Sequence, residues 1–255
     1  MKIISWNVNG IRAWHKKGMW NFVERESPDI FCLQETKAHK GQIPPEIVSP
    51  DNRHSFWCSA ERKGYSGVAV YSKDKPGKDS YGIGVSKFDS EGRVIVLDYG
   101  KFLLMNIYFP NGGASIERHN FKQEFLRSLN SFVKNLIAQG RELVVLGDYN
   151  VAPTDIDVYD PKKLAMESGF LPEEREWFKE FIDLGFVDCY RHLYPNEKNV
   201  FTWWSMLERG RLGNRGWRID HVCITKGLVK YLKEATVYQD QEGSDHCPVG
   251  VILEI

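Results

Sequence analysis

Cysteine is scarce and unpatterned in this chain: five residues in 255, at positions 32, 58, 189, 223 and 247. An odd, scattered set does not make a disulfide framework, and no spacing among them suits a zinc or redox motif. Cys32, Cys223 and Cys247 lie in or beside apolar runs, so they read as small buried hydrophobes in a reducing compartment. No apolar stretch approaches the length of a membrane span, and the start, Met1-Lys2-Ile3-Ile4-Ser5-Trp6-Asn7, has no leader-like apolar segment. A cytoplasmic protein without a membrane partner is expected. Net charge is absent as well, since 34 Lys and Arg balance 34 Asp and Glu. A polyanionic partner would have to be met by a local patch. One candidate patch is Arg209, Arg211, Arg215 and Arg218, interleaved with glycines and Trp217; the plain alternative is a solvated loop. Linkers and low-complexity tracts are also missing, so residues 1–255 read as a single domain.

What is present is an alternation of strand-like and helix-like segments. Runs rich in Val, Ile, Leu and aromatics occur at 2–6, 29–33, 67–71, 93–98, 102–109, 142–147, 218–225 and 249–254. Several alternate little, as expected of strands buried on both faces. Apolar residues at spacings of three and four predict a helix over 116–139, with Ser115 to cap its start and Gly140 its end. A second helix should begin with Pro172 and stop at Gly185, and a weaker one should cover 16–26. The pattern is α/β, with strands enough for more than one sheet.

Polar residues cluster where the strand-like runs end, which is how α/β scaffolds build sites. Asn7 follows the first run, Glu35 the second, and Asp148 and Asn150 the run at 142–147. Tyr108 and Asn111 stand at the end of 102–109, Asp220 lies in 218–225, and Asp245-His246 precedes the last run. Carboxylates, carboxamides and one histidine suit a hard, oxygen-preferring cation and phosphate chemistry. Residues two apart in extended chain point the same way, so Asp148 can take a proton from a water while Asn150 orients a ligand beside it. Asp220 can fix the tautomer and charge of His246. Each residue alone has a bland reading: Glu35 as a helix cap or surface ion pair, Asp148 and Asn150 as a turn, Tyr108 as core packing.

Together they read differently. Ile4-Ser5-Trp6-Asn7-Val8-Asn9-Gly10, Cys32-Leu33-Gln34-Glu35-Thr36-Lys37, Arg62-Lys63-Gly64-Tyr65-Ser66-Gly67-Val68, Asn106-Ile107-Tyr108-Phe109-Pro110-Asn111-Gly112, Gly147-Asp148-Tyr149-Asn150, Gly169-Phe170-Leu171-Pro172-Glu173-Glu174-Arg175, Gly216-Trp217-Arg218-Ile219-Asp220 and Gly243-Ser244-Asp245-His246-Cys247-Pro248 follow in order. In this the chain resembles the exonuclease III-type apurinic/apyrimidinic endonucleases of the endonuclease/exonuclease/phosphatase superfamily. The resemblance runs over essentially the whole length.

It implies a four-layered α/β sandwich, two facing mixed sheets flanked by helices. It implies hydrolysis of the phosphodiester 5′ to abasic sites in duplex DNA, leaving a 3′-hydroxyl and a 5′-deoxyribose phosphate, with 3′→5′ exonuclease and 3′-end-cleaning activity. The implied cofactor is Mg²⁺, with Mn²⁺ able to substitute, and the implied state a monomer. By matching position, Glu35 would be the main metal ligand, with Asn7, Asp245 and Asn9 close to the metal. Asp148, held by Asn150, would activate the attacking water. His246, polarised by Asp220, would bind the scissile phosphate, and Tyr108 and Asn111 would complete that pocket. Trp203, Trp217 and Ile219 would wall the space for an extruded abasic sugar, and Arg209, Arg211 and Arg215 would meet phosphates. Three positions depart from the family pattern: Asn9 where many members carry Asp, His221 where Tyr commonly follows the aspartate, and Ala114 where some place an arginine. The competing readings are another phosphodiesterase or non-specific nuclease of the superfamily, and a nucleic-acid-binding module with a dead site.

Overall fold

The computed structural model describes residues 1–50 and 52–255. Two six-stranded mixed sheets lie face to face. From edge to edge, the first runs Leu232–Val237, Val249–Leu253, Lys2–Asn7, Ile30–Gln34, Val68–Ser72, His54–Cys58. The second runs Lys78–Tyr81, Val94–Asp98, Leu103–Tyr108, Leu143–Asp148, Asp220–Thr225, Phe186–Asp188. Each sheet contains one parallel pair at its centre, and the registers set Asn7 beside Gln34 and Tyr108 beside Asp148. Asp220 starts a strand antiparallel to Leu143–Asp148, directly opposite Asp148. The polar strand ends therefore gather at one end of the sandwich.

The weak alternation of the strands has a direct cause: both faces of each sheet are covered. Ile3, Ile30, Val144, Leu146, Val222 and Val251 meet between the sheets. Their neighbours Ile4, Trp6, Phe31 and Leu33 point outward under helices Ile11–Lys16 and Trp20–Glu26. Leu143, Val145 and Met105 point outward under helices Ile116–Ala138 and Pro172–Asp183. At roughly 25 cal/mol per Å² of apolar area removed from water, these three layers of contact supply most of the drive to fold. A polar bridge crosses the interior below the site. Gln34 Nε2 donates to Asn106 Oδ1 at 2.7 Å, and Asn106 Nδ2 donates to the carbonyls of Leu33 and Ala69.

The two main helices stand where the periodicity puts them, and Ser115 Oγ caps the first by accepting from the Arg118 amide at 3.3 Å. The helix expected over 16–26 is instead two short ones, broken around Gly18, whose φ of 72° turns the chain. The edge strands escaped the pattern, and the polar Lys78–Tyr81, exposed throughout, shows the extreme case. The run expected at 218–225 pairs only from Asp220; Arg218 and Ile219 precede the strand.

Gly147 lies on the strand that carries Asp148 into the site. It has φ 134°, and a methyl group there would overlap the Ile107 carbonyl of the neighbouring strand. Gly147→Ala is expected to cost about 3 kcal/mol or more of stability, read by denaturant unfolding. A loss below about 1 kcal/mol would mean that the strand entering the site can shift to make room.

Candidate active site

Eleven of the residues singled out above line one cavity of about 400 Å³: Asn9, Glu35, Tyr108, Asn111, Asp148, Asn150, Trp203, Trp217, Ile219, Asp245 and His246. Asn7 and Asp220 stand behind them, fully buried. A larger groove of about 760 Å³ runs beside helix Pro172–Asp183, but none of these residues lines it. The chemistry belongs to the smaller cavity, where the carboxylates and the imidazole converge.

At the centre, His246 sits between two carboxylates. Its Nδ1 is 2.8 Å from Asp220 Oδ2, and its Nε2 is 3.9 Å from Asp148 Oδ2. The Asp220 end is fixed by Thr202 Oγ1, which accepts from the amides of Ile219 and Asp220 at 3.0 Å each. Trp6 Nε1 donates to the His246 carbonyl at 3.0 Å. Burial disfavours the imidazolium, but Asp220 and Asp148 outweigh it and push the pKa of His246 up to about 10. Burial acts the other way on Asp148. It raises the carboxyl to about 7, against the pull of His246 and with the repulsion of Asp220 and Glu35 added. The pair thus offers a charged donor beside a carboxylate that titrates near neutrality.

Around Asp148 the amides are orderly. Asn7 Nδ2 donates to Asp148 Oδ2 at 2.9 Å and to Glu35 Oε1 at 3.0 Å, tying the two sheets across the site. The Asn150 amide donates to Asp148 Oδ1 at 2.8 Å, Asn150 Nδ2 lies 3.2 Å from Asp148 Oδ2, and Asn111 Nδ2 donates to Asn150 Oδ1 at 2.9 Å. Tyr108 is buried, with the Arg93 guanidinium 4.7 Å from its ring centre. Burial, then the charge of Glu35, drives its hydroxyl well above the usual range, so it remains a neutral donor.

Glu35, Asp148 and His246 place ligand-type atoms within 4.8 Å of one another. With His246 held as a cation by its carboxylates, the oxygens of Glu35 and Asp148 are the donors that remain, and they fit a divalent ion of the hard, oxygen-preferring kind. A cation already finds this place: Lys37 Nζ lies 2.6 Å from Glu35 Oε2. Lys37 and Asn7 outweigh burial and lower the pKa of Glu35. Asp245 is differently engaged. Its Oδ1 accepts from Asn9 Nδ2 and Ser244 Oγ, and its Oδ2 from Trp203 Nε1 at 3.1 Å. Asn9 Oδ1 accepts from Lys37 at 2.5 Å, so both ends of that carboxamide are used.

The wall opposite is aromatic. Trp203 and Trp217 pack edge to face with ring centres 6.2 Å apart, and Phe170 packs behind Trp217. The arginine patch divides. Arg209, Arg211 and Arg215 lie outside the cavity; Arg211 stacks over Trp204 and donates to the carbonyl of Gln241, and Arg215 donates to that of Glu208. Arg218 does not belong to a surface patch at all. It is buried, paired with Asp157 at 2.6 Å and Asp188 at 2.8 Å, because a cation next to the core must find carboxylates there. Lys37, the Thr202 hydroxyl and the rim at Glu167–Gly169 escaped the sequence reading. Lys37 and Gly169 carried a signal, since both stand in stretches shared with the family; Thr202 carried none.

With this geometry in place, the kinship of the chain is plain. It belongs to the endonuclease/exonuclease/phosphatase family, whose pattern it matches over residues 4–246. It is 41% identical over 256 residues to an exodeoxyribonuclease of Bacillus subtilis, covering 100% of both chains. It is 39% identical over 257 residues to the DNA repair nuclease APEX1 of Danio rerio, covering 100% of this chain and 83% of that one. Among solved structures, a 3′-5′ exonuclease from Neisseria meningitidis superposes with a TM-score of 0.91 at 30% identity, covering 100% of each chain. An AP endonuclease from Archaeoglobus fulgidus does so with 0.90 at 29% identity, again over 100% of each. The exonuclease III-type resemblance and the two-sheet sandwich both hold.

Asp148 has a measurable cost. Its folded carboxyl binds the proton more tightly than the free group with pKa 3.8, so the penalty is absent below that value, grows as pH rises toward about 7 and is constant above it. In metal-free buffer, Asp148→Asn should melt a few degrees above the wild type at pH 8, with the gap narrowing at pH 5. Equal melting temperatures at pH 8 would mean that the carboxylate is not held against its solvation.

Proposed function

We propose that this protein is a DNA-repair endonuclease. It hydrolyses the phosphodiester 5′ to an abasic site in duplex DNA, leaving a 3′-hydroxyl and a 5′-deoxyribose phosphate. Trimming of 3′ ends and 3′→5′ exonuclease action use the same phosphate site. The observation that carries this reading is the juxtaposition in one cavity of Asp148, Asn150 and His246 with the Trp203, Trp217 and Ile219 wall. A nucleotide without a base loses little stacking when it leaves the duplex, and an aromatic wall accepts a bare sugar while crowding a base. Relatives with AP-endonuclease names and a Neisseria 3′ phosphatase solved with a product DNA hairpin support the choice of DNA.

In the reaction, Asp148 takes a proton from the attacking water, whose oxygen forms the new bond to phosphorus. The bond from phosphorus to the 3′ oxygen breaks, and that oxygen takes a proton from solvent water to become the 3′-hydroxyl. Asn7 and the Asn150 amide hold the carboxylate in line. His246, charged by Asp220, and the neutral hydroxyl of Tyr108 donate to the phosphoryl oxygens. Mg²⁺ is the ion proposed for Glu35 and its neighbours, with Mn²⁺ able to replace it; when bound, it neutralises phosphoryl charge and eases departure of the 3′ oxygen. Arg209, Arg211 and Arg215 are assigned to flanking phosphates, which carry no lesion information. The protein is proposed to act as a cytoplasmic monomer, consistent with five unpaired cysteines, four of them buried. Among the described residues no helix is long and apolar enough to cross a membrane.

End-labelled duplexes with one abasic site or none test the whole reading. The wild type should incise the abasic strand 5′ to the lesion, leave the intact duplex largely uncut and stop in excess chelator. Asp148→Asn should lose roughly two to four powers of ten in kcat. Equal cutting of both duplexes, or full activity in chelator, contradicts it.

A further inference from the structure

Helix Ile116–Ala138 carries a lysine that is 0% exposed, and helix Pro172–Asp183 carries a glutamate that is also 0% exposed. Lys122 Nζ pairs with Glu174 Oε1 and donates to the Asn150 carbonyl at 2.8 Å. Glu174 Oε2 accepts from the amides of Gly169 at 2.6 Å and Leu171 at 3.2 Å. The Ala152 amide donates back to the Gly169 carbonyl at 2.7 Å. One buried ion pair thus ties together the loop that leaves the Asp148 strand and the cavity rim at Gly169. We propose that Lys122 and Glu174 are positioning residues for the reaction, fixing the Asn150 peptide and the rim so that the Asn150 carboxamide stays on Asp148. This rests on the roles proposed above for Asp148 and Asn150.

Stability alone is a poor reason for such a pair. Two charges removed from water are costly, and an apolar pair of similar volume often serves as well or better. Burial lowers the pKa of Lys122 even with Glu174 beside it. What a lysine offers and a methionine does not is a donor for a carbonyl. That carbonyl needs one, because Asn150 is a non-glycine residue at φ 52° and is buried. A left-handed residue whose carbonyl has lost its donor can regain hydrogen bonding only by rotating its peptide. Rotation would carry away the side chain that lies 3.2 Å from Asp148 Oδ2 and 3.0 Å from the Phe109 carbonyl. It would also disturb the aromatic wall. A methyl built at Gly169 stands 3.2 Å from the Asn150 carbonyl and 3.3 Å from the Trp217 ring, so rim, loop and wall are in contact.

The test replaces the pair with an apolar one, Lys122→Met with Glu174→Leu, and compares it with Lys122→Arg, which keeps a donor. Melting temperature, KM and kcat on the abasic duplex are measured for each, with Asp148→Asn as a control. The apolar pair leaves the Asn150 carbonyl and the rim amides unpaired, so it should melt below wild type but stay folded and keep its KM, while kcat falls by about ten- to a hundredfold, the scale of a small misplacement at the reacting centre. Lys122→Arg should recover most of kcat. A folded apolar variant with kcat within about threefold of wild type overturns the proposal. So does a Lys122→Arg enzyme as slow as the apolar one. If the apolar pair does not fold, Glu174→Gln carries the test: it keeps an acceptor for the rim amides but releases Lys122. A loss in kcat alone is then expected, and an unchanged kcat contradicts. An inactive Asp148→Asn beside a fully active apolar variant sinks the positioning role only, whereas an active Asp148→Asn sinks the reading of Asp148 itself.

Discussion

Asp148 and Asp220 are carboxylates on neighbouring strands, and in register they face each other. Two buried like charges at that separation are tolerable only if a cation lies between them, and the cation is His246. It arrives from the other sheet, in the loop before Val249–Leu253. The site therefore exists only when the two sheets are stacked in the observed offset. The inter-sheet hydrogen bonds serve that end, Gln34 to Asn106 below the site and Asn7 to Asp148 within it, while Trp6 holds the His246 carbonyl from the same sheet. Packing between the sheets supplies the energy, and these polar contacts select the offset.

The same arrangement stores strain. Asn9, Glu35 and Asn150, all cavity-lining, are non-glycine residues with φ of 45°, 52° and 52°, and Lys37 has 49°. Left-handed non-glycine residues persist only when their surroundings hold them there. Here the hold comes from the amide and lysine bonds around Glu35 and Asn9, and from Lys122 beneath Asn150. Raising the carboxyl of Asp148 toward 7 is a further cost, and it would suit that group to the role of base proposed above.

Much of this was legible in the residues. A polar side chain at the end of an apolar strand needs polar partners, so Asn7, Glu35, Tyr108 and Asp148 marked the ends where such partners gather. The resemblance added Trp203, Trp217 and Ile219, and the fold brings them to the same cavity. What could not be read were partnerships made only in three dimensions. Arg218 looks like its exposed neighbours in sequence, yet Asp157 and Asp188 take it inside. Lys122 falls on a helix whose periodicity says nothing of a buried Glu174 on another helix. The polar edge strand at Lys78–Tyr81 lacks the apolar signal because one of its sides has no neighbour to bury it. Asn9 is of the same kind: its carboxamide hydrogen-bonds Asp245 and Lys37, partners that only the fold brings to it.

The site depends on His246 being an imidazolium held by two carboxylates. Nitrogen-15 NMR of the ring reads that state directly in the metal-free protein. The prediction is that both ring nitrogens carry protons at pH 8 and lose one only near pH 10. A neutral ring at pH 8, titrating near its ordinary value of 6.5, would contradict it.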